Sequence, residues 1–123
     1  MKTFLFAALI ISWLGCNKKL TGDSIKGKLI YRSCASTVVE VLDSKHYSLC
    51  VDNWQQSPAK PTYNHVFAVA NTCSFGEMKE GQTFTFVLLN NDPKMKDCVV
   101  CALYDNPPNK TQIIKVVEKD TIK

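Results

Sequence analysis

Thr83-Phe84-Thr85-Phe86-Val87-Leu88 is the stretch that decides the fold. It alternates with period two, so Phe84, Phe86 and Leu88 share one face of an extended strand and the threonines share the other. β-Branched and aromatic side chains suit such a pleated, half-buried surface. Glu80-Gly81, just before it, marks a turn. Outward from here the chain stays extended in character. Residues 25–31 (Ile-Lys-Gly-Lys-Leu-Ile-Tyr) begin a first strand, and the valine-rich residues 37–42 continue it after a bend at 33–36. Residues 47–51, 65–73, 98–104 and 111–118 read as further strands. Residues 43–45, 54–62 with Pro58 and Pro61, and 90–97 with Pro93 read as turns or loops. Asp105-Asn106-Pro107-Pro108-Asn109 must turn, because each proline fixes φ and removes a donor while Asp and Asn suit turn starts.

After the first fifteen residues no segment shows sustained helical spacing. A short helix at 53–56 or 93–96 is the most the pattern allows. Five to six short strands in one domain-sized stretch predict an all-β fold. The favoured form is a small five- to six-stranded OB-like barrel, with a β-sandwich as the alternative. Closure would hide strand edges that a meander leaves open. The β domain is assigned to residues 25–118, and residues 119–123 are expected to be a flexible tail.

The beginning of the chain has a different character. Lys2 is followed by an apolar run at residues 4–14 interrupted only by Ser12. That run is too short to cross a hydrocarbon core, which needs about 20 helical residues, but it suits the apolar region of a signal peptide. Trp13-Leu14-Gly15-Cys16 resembles the lipobox of bacterial lipoproteins. The resemblance implies a signal peptide at residues 1–15 and a lipid-bearing Cys16 (diacylglycerol plus an N-acyl chain such as palmitate) at the mature N-terminus. It also implies a tether at residues 16–24 and a place in the bacterial cell envelope, on the periplasmic side or the cell surface. Several acyl chains at ~0.8 kcal/mol per buried CH₂ would hold such a protein on a membrane durably. This lipid is the only attached group the sequence suggests, and no cofactor is expected.

The composition narrows the partners. The formal charge is +4 in 123 residues, and Lys2 leaves with the leader. Arg32 is the only arginine, and no basic cluster with interleaved aromatics occurs. Nucleic-acid binding therefore has no support. There is no glycine-rich phosphate loop and no Gly-x-Ser-x-Gly.

Once Cys16 is set aside, five cysteines remain: Cys34, Cys50, Cys73, Cys98 and Cys101. An exported domain permits disulfides, so these are the disulfide candidates, with one left over. Sequence alone leaves the pairing open. Cys98-Val99-Val100-Cys101 invites a thiol-redox reading. Yet cysteines three apart on a strand point to opposite faces, and no helix start is there to lower a thiol pKa. Each is expected to pair elsewhere or stay buried. A zinc set of Cys98 and Cys101 with two of Cys34, Cys50, Cys73, His46 or His65 lacks the second half of the usual ligand spacing, so no metal site is assigned. His46 and His65 flank no nucleophile motif. Asp52 and Asp105 read as turn residues bonding to nearby backbone.

Surface recognition remains. Trp54, Tyr63 and Phe75 fall in or near loops, where an aromatic either packs beneath the rim or meets a ligand. Trp54, Tyr63 and Tyr104 are the candidate ligand patch. Cys73-Ser74-Phe75 followed by Lys79-Glu80-Gly81-Gln82-Thr83-Phe84-Thr85-Phe86 resembles the cysteine and strand pattern of netrin-like and inhibitor-type OB domains. The domain also resembles small bacterial lipoproteins with a Cys-x-x-Cys-x-Leu-Tyr-Asp-Asn-Pro-Pro strand and turn. These resemblances imply no catalytic residue. The expected function is a membrane-anchored, non-catalytic binding or structural module for a protein or glycan partner. The alternative is a thiol-redox or metal-handling protein using Cys98 and Cys101.

Overall fold

The computed structural model describes residues 23–102 and 105–121. The expected signal peptide, Cys16 and most of the tether lie outside the described residues, as does Tyr104. The fold is all-β, joined by short 3₁₀ turns. Strand β1 (Ile25–Arg32) runs into β2 (Thr37–Val41), and a small hairpin of β3 (Trp54–Gln55) and β4 (Thr62–Tyr63) follows. Then come β5 (Val66–Val69), β6 (Thr83–Leu88), β7 (Thr111–Gln112) and β8 (Ile114–Lys119). Six strands make one sheet in the order β7-β5-β2-β1-β6-β8, with β3 and β4 paired apart from it. All pairings in the six-stranded sheet are antiparallel except β5 with β7. The two ends of that order, β7 and β8, are separated in the chain by Ile113 alone. Gln112 O accepts from Ala70 N–H, on the β5 side, and the next carbonyl, Ile113 O, accepts from Leu89 N–H just beyond β6.

The main core has a specific geometry. Ile25 and Leu29 of β1, Val39 and Val41 of β2, Phe67 and Val69 of β5, Phe84 and Phe86 of β6, and Ile114 of β8 are all buried together. Phe86 sits edge-on to Phe67, with ring centroids 5.7 Å apart, and Phe75 sits edge-on to Phe84 at 5.3 Å. Such edge-to-face pairs add about 0.5–1.5 kcal/mol beyond their buried area. Between Ile25 and Leu29, on the same face of β1, stands Gly27. A Cβ there would lie 2.9 Å from Phe86 Cε1 and 3.0 Å from Val39 Cγ1. The bare backbone leaves room for the rings.

Strand β2 is buried on both faces, which explains why valines stand at successive positions 38 and 39. Val39 and Val41 enter the main core, while Val38 joins Val66 and Trp54 in a second, smaller cluster on the outer side. Asn71, 1 % exposed, ties three segments together. Its amide nitrogen donates to Asp92 Oδ2 and to Ile114 O, each at 2.7 Å, and its oxygen accepts from Ile114 N–H at 3.0 Å.

Several expectations need correcting. Residues 37–42 do not continue β1; they fold back on it as an antiparallel hairpin, because Ser33 Oγ accepts from the N–H groups of Ala35 and Ser36 and turns the chain. Residues 44–49 form 3₁₀ turns in place of a strand, started by Asp43, whose carboxylate accepts from Lys45 N–H. Of residues 47–51, expected to be a strand, only Val51 makes a sheet contact, a bridge to Val66. Residues 54–62, expected to be a loop, make up most of the β3–β4 hairpin, which ends at Tyr63. The short helix appears as a 3₁₀ turn at Pro93–Asp97 and not at 53–56. Residues 98–102 are not in a strand. The tail is not loose at its start: Lys119 pairs with Phe84, Asp120 N–H donates to Thr83 O, and Asp120 meets Lys26 at 2.7 Å.

Gly27→Ala should destabilise the domain by about 1–3 kcal/mol, since the added methyl overpacks the rings. Denaturant unfolding should show a lower midpoint with little change in slope. An unchanged midpoint would mean that the core shifts freely at this point.

Candidate functional site

The hairpin that carries Trp54 is an excursion clipped at its base. Asn53 N–H donates to Asn64 Oδ1 at 2.8 Å, and His65 N–H donates to Asp52 Oδ1 at 3.0 Å. Asn53 and His65 both adopt left-handed backbone, with φ of 58° and 63°. Asn tolerates this conformation well. The clip lays Trp54 over β2 and β5, onto Val38 and Val66. Trp54 lies 6.4 Å from Tyr63 and 6.2 Å from Tyr31, measured between ring centroids. Two of the three expected ligand-patch residues are thus neighbours, and Tyr31 is a third aromatic that sequence reading treated only as a strand residue. Trp54, however, is 8 % exposed. Its indole N–H donates to Asn106 O at 2.9 Å. Most of the ring therefore packs, and the polar edge is already used.

Next to these aromatics is a cleft of about 150 Å³, lined among others by Ile30, Tyr31, Trp54, Lys60, Tyr63 and Glu80. Drug-sized sites occupy about 300–1,000 Å³, so this one has room for a single side chain or one sugar ring. Lys60 and Glu80 supply charge of both signs at its edge.

Beneath it is a polar junction that the sequence did not announce. Asp105, 4 % exposed, accepts from Tyr31 Oη–H at 2.7 Å and from Ser33 Oγ–H. The bonds join the end of β1, the β1–β2 turn and the segment after residue 104. Burial pushes the Asp105 carboxyl up, but hydrogen bonds from Ser33, Tyr31 and Ser36 outweigh it and hold the group below its ordinary value of 3.8. The same carboxylate raises the Tyr31 phenol, with burial adding to the effect. Asp105 is not the locally bonded turn residue that its neighbours suggest; its partners are hydroxyls more than seventy positions away. No local signal reports such a contact. Asp52 does bond backbone, but that of His65, thirteen positions on across the base of the hairpin.

Among the described residues the cysteines form two disulfides, Cys34–Cys101 and Cys73–Cys98. Cys98 and Cys101 are therefore not joined to each other. Cys50 is free and buried, and desolvation pushes its thiol up to about 11. It is protonated at neutral pH and unreactive. Among the described residues no group of three His, Cys, Asp or Glu side chains is placed to hold a metal ion. His46 faces Asp23 at 3.6 Å and Asp43 at 3.9 Å. His65 stacks on Tyr47, 3.6 Å between centroids, with Asp52 3.2 Å from its Nδ1.

No protein-family model matches this chain, and no curated protein matches it. Its chemistry has to be read from its own residues.

Asp105→Asn should cost about 1–3 kcal/mol at neutral pH, because charge-assisted bonds from Tyr31 and Ser33 are weakened. The wild-type advantage exists above the unfolded carboxyl's titration near pH 4 and is lost as pH falls through the lower folded value. Unfolding free energies of the two proteins should therefore converge in acid. A gap that stays constant down to pH 2 would show that the carboxylate charge contributes nothing.

Proposed function

We propose that this chain is an exported bacterial lipoprotein, anchored to an envelope membrane through acylated Cys16. Its β domain serves as a non-catalytic binding or structural module for a protein or glycan partner. The observation that carries this reading is the disulfide pair. Cys34–Cys101 and Cys73–Cys98 link residues 67 and 25 positions apart. Bridges of this kind persist in oxidising compartments and are rare in the cytosol. Each would contribute about 2–4 kcal/mol to a small domain by restricting its unfolded chain. The apolar run before Cys16 supplies the export route, and the thiol supplies the anchor.

We read the sheet as an OB-like barrel. The supporting observation is that residues 111–119 are almost one continuous strand whose first part pairs with β5 and whose second part pairs with β6. A single strand thereby serves both ends of the pairing order, although its longer part, β8, pairs with β6 alone. Loops of such barrels are their usual contact regions. Here the loop between β6 and β7 is fixed by both disulfides, which present Val99 at 87 % and Val100 at 45 % exposure. Cross-links at residues 98 and 101 limit the ordering cost a partner would otherwise meet. The thiol-redox alternative has less support, since the Cys-x-x-Cys cysteines bridge different loops.

The test is mass spectrometry of the mature chain combined with fractionation. Wild type should sediment with membranes and carry acyl mass on an N-terminal Cys16, whereas Cys16→Ala should lose both. Thiol titration should find Cys50 reactive only after unfolding. Identical masses and locations for the two proteins would rule out the anchor. A bridge opened by mild reductant in the native state would favour the redox reading.

A further inference from the structure

A second cleft is larger than the aromatic one. Between the end of β1 and the turn before β6 lies a space of about 480 Å³, lined by Arg32, Gly76, Glu77, Met78, Lys79 and Gln82. This is within the range of small-molecule sites. Its central feature is the only arginine in the chain. The Arg32 guanidinium carbon lies 5.1 Å from the centroid of the buried Phe75 ring, and Nη1 donates to Gly76 O at 2.5 Å. Those two contacts fix the group's position. A guanidinium has five N–H donors in a planar fork, and Gly76 takes one. Among the described residues no carboxylate forms an ion pair with it. A half-buried, positioned guanidinium with spare donors is matched to a planar carboxylate.

The surroundings select further. Lys79 lines the same cleft, and Lys119 Nζ donates to Glu77 O at 2.9 Å nearby. Glu80 uses Oε2 to accept from the Arg32 backbone N–H at 2.9 Å. Glu77 brings a second negative charge to the lining. Three cations against two carboxylates leave a small positive excess, enough for a singly charged anion and poorly suited to a dianion. Gln82 is committed, its nitrogen to Asp120 O and its oxygen to Lys79 N–H. Met78, which packs against the main core, gives the cleft an adaptable apolar wall. Gly76, at φ 84°, makes the turn that brings its carbonyl to Arg32.

We propose that this cleft binds a small organic monocarboxylate, with Arg32 forking the carboxylate and Met78 covering an apolar tail. The site does not depend on how the chain is anchored. Isothermal titration of the purified full-length protein with hexanoate, hexanol and inorganic phosphate tests it. Hexanoate should bind saturably, and hexanol and phosphate at least tenfold more weakly. Arg32→Gln should weaken hexanoate at least tenfold. Glu77→Gln, which leaves the backbone carbonyl used by Lys119 in place, should tighten hexanoate two- to threefold by removing a repulsive charge. This second variant decides the matter if Arg32→Gln fails to fold. Absence of saturable hexanoate binding to wild type would overturn the proposal. So would equal binding of phosphate, equal binding of hexanol, unchanged affinity in a folded Arg32→Gln protein, or unchanged affinity in Glu77→Gln.

Discussion

The close approach of Phe86 and Phe84 to the bare backbone of Gly27 is the constraint on which the sheet depends. A ring carbon sits where any side chain on Gly27 would have to go. This lets β1 pair with β2 on one side and β6 on the other while two aromatic rings fill the space over it. The rest of the core follows from that contact. Phe67 and Phe75 meet those rings edge-on, and Ile25, Leu29 and Ile114 close the gaps between them. Burial of each large side chain contributes about 1.5–3 kcal/mol, but only if the rings reach their places.

A second layer of organisation lies outside this core and explains why the aromatic residues are where they are. Val38 and Val66 are apolar on the outer faces of β2 and β5 and need a cover. The clipped β3–β4 hairpin supplies it with Trp54, and Asn106 satisfies the indole N–H. Trp54 is therefore mainly a lid on a small satellite core, and the cleft it shares with Tyr31 and Tyr63 is what that packing leaves over. The buried Asp105 carboxylate then joins the turn after β1 to the distant segment that carries Asn106. The surface around that cleft is held in place by these structural contacts.

The disulfides work at the opposite extreme of range. They fasten residues 98–101, which have little sheet pairing of their own, to two separate loops. The valines between the cysteines are consequently exposed although their sequence is that of a buried strand. The same cross-linking accounts for the Cys-x-x-Cys spacing without any redox chemistry. Cys50, the odd thiol, is set aside chiefly by desolvation.

Local patterning determined a good deal. Alternation in residues 83–88 specified β6, and turn chemistry at Glu80-Gly81 placed its start. These are properties of neighbours a few positions apart, and a period or a spacing records them directly. Hydrophobicity at residues 47–51 and 98–102 misled, because an apolar run reports that a segment can be buried and not which partner will bury it. An Asp43 cap and two cross-links decided those segments otherwise. The Tyr31–Asp105 bond, the seating of Trp54 beneath Asn106 and the isolation of Arg32 in its cleft were settled only by the tertiary structure. Each joins residues more than forty positions apart, and their chemistry exists only once the strands between them have paired.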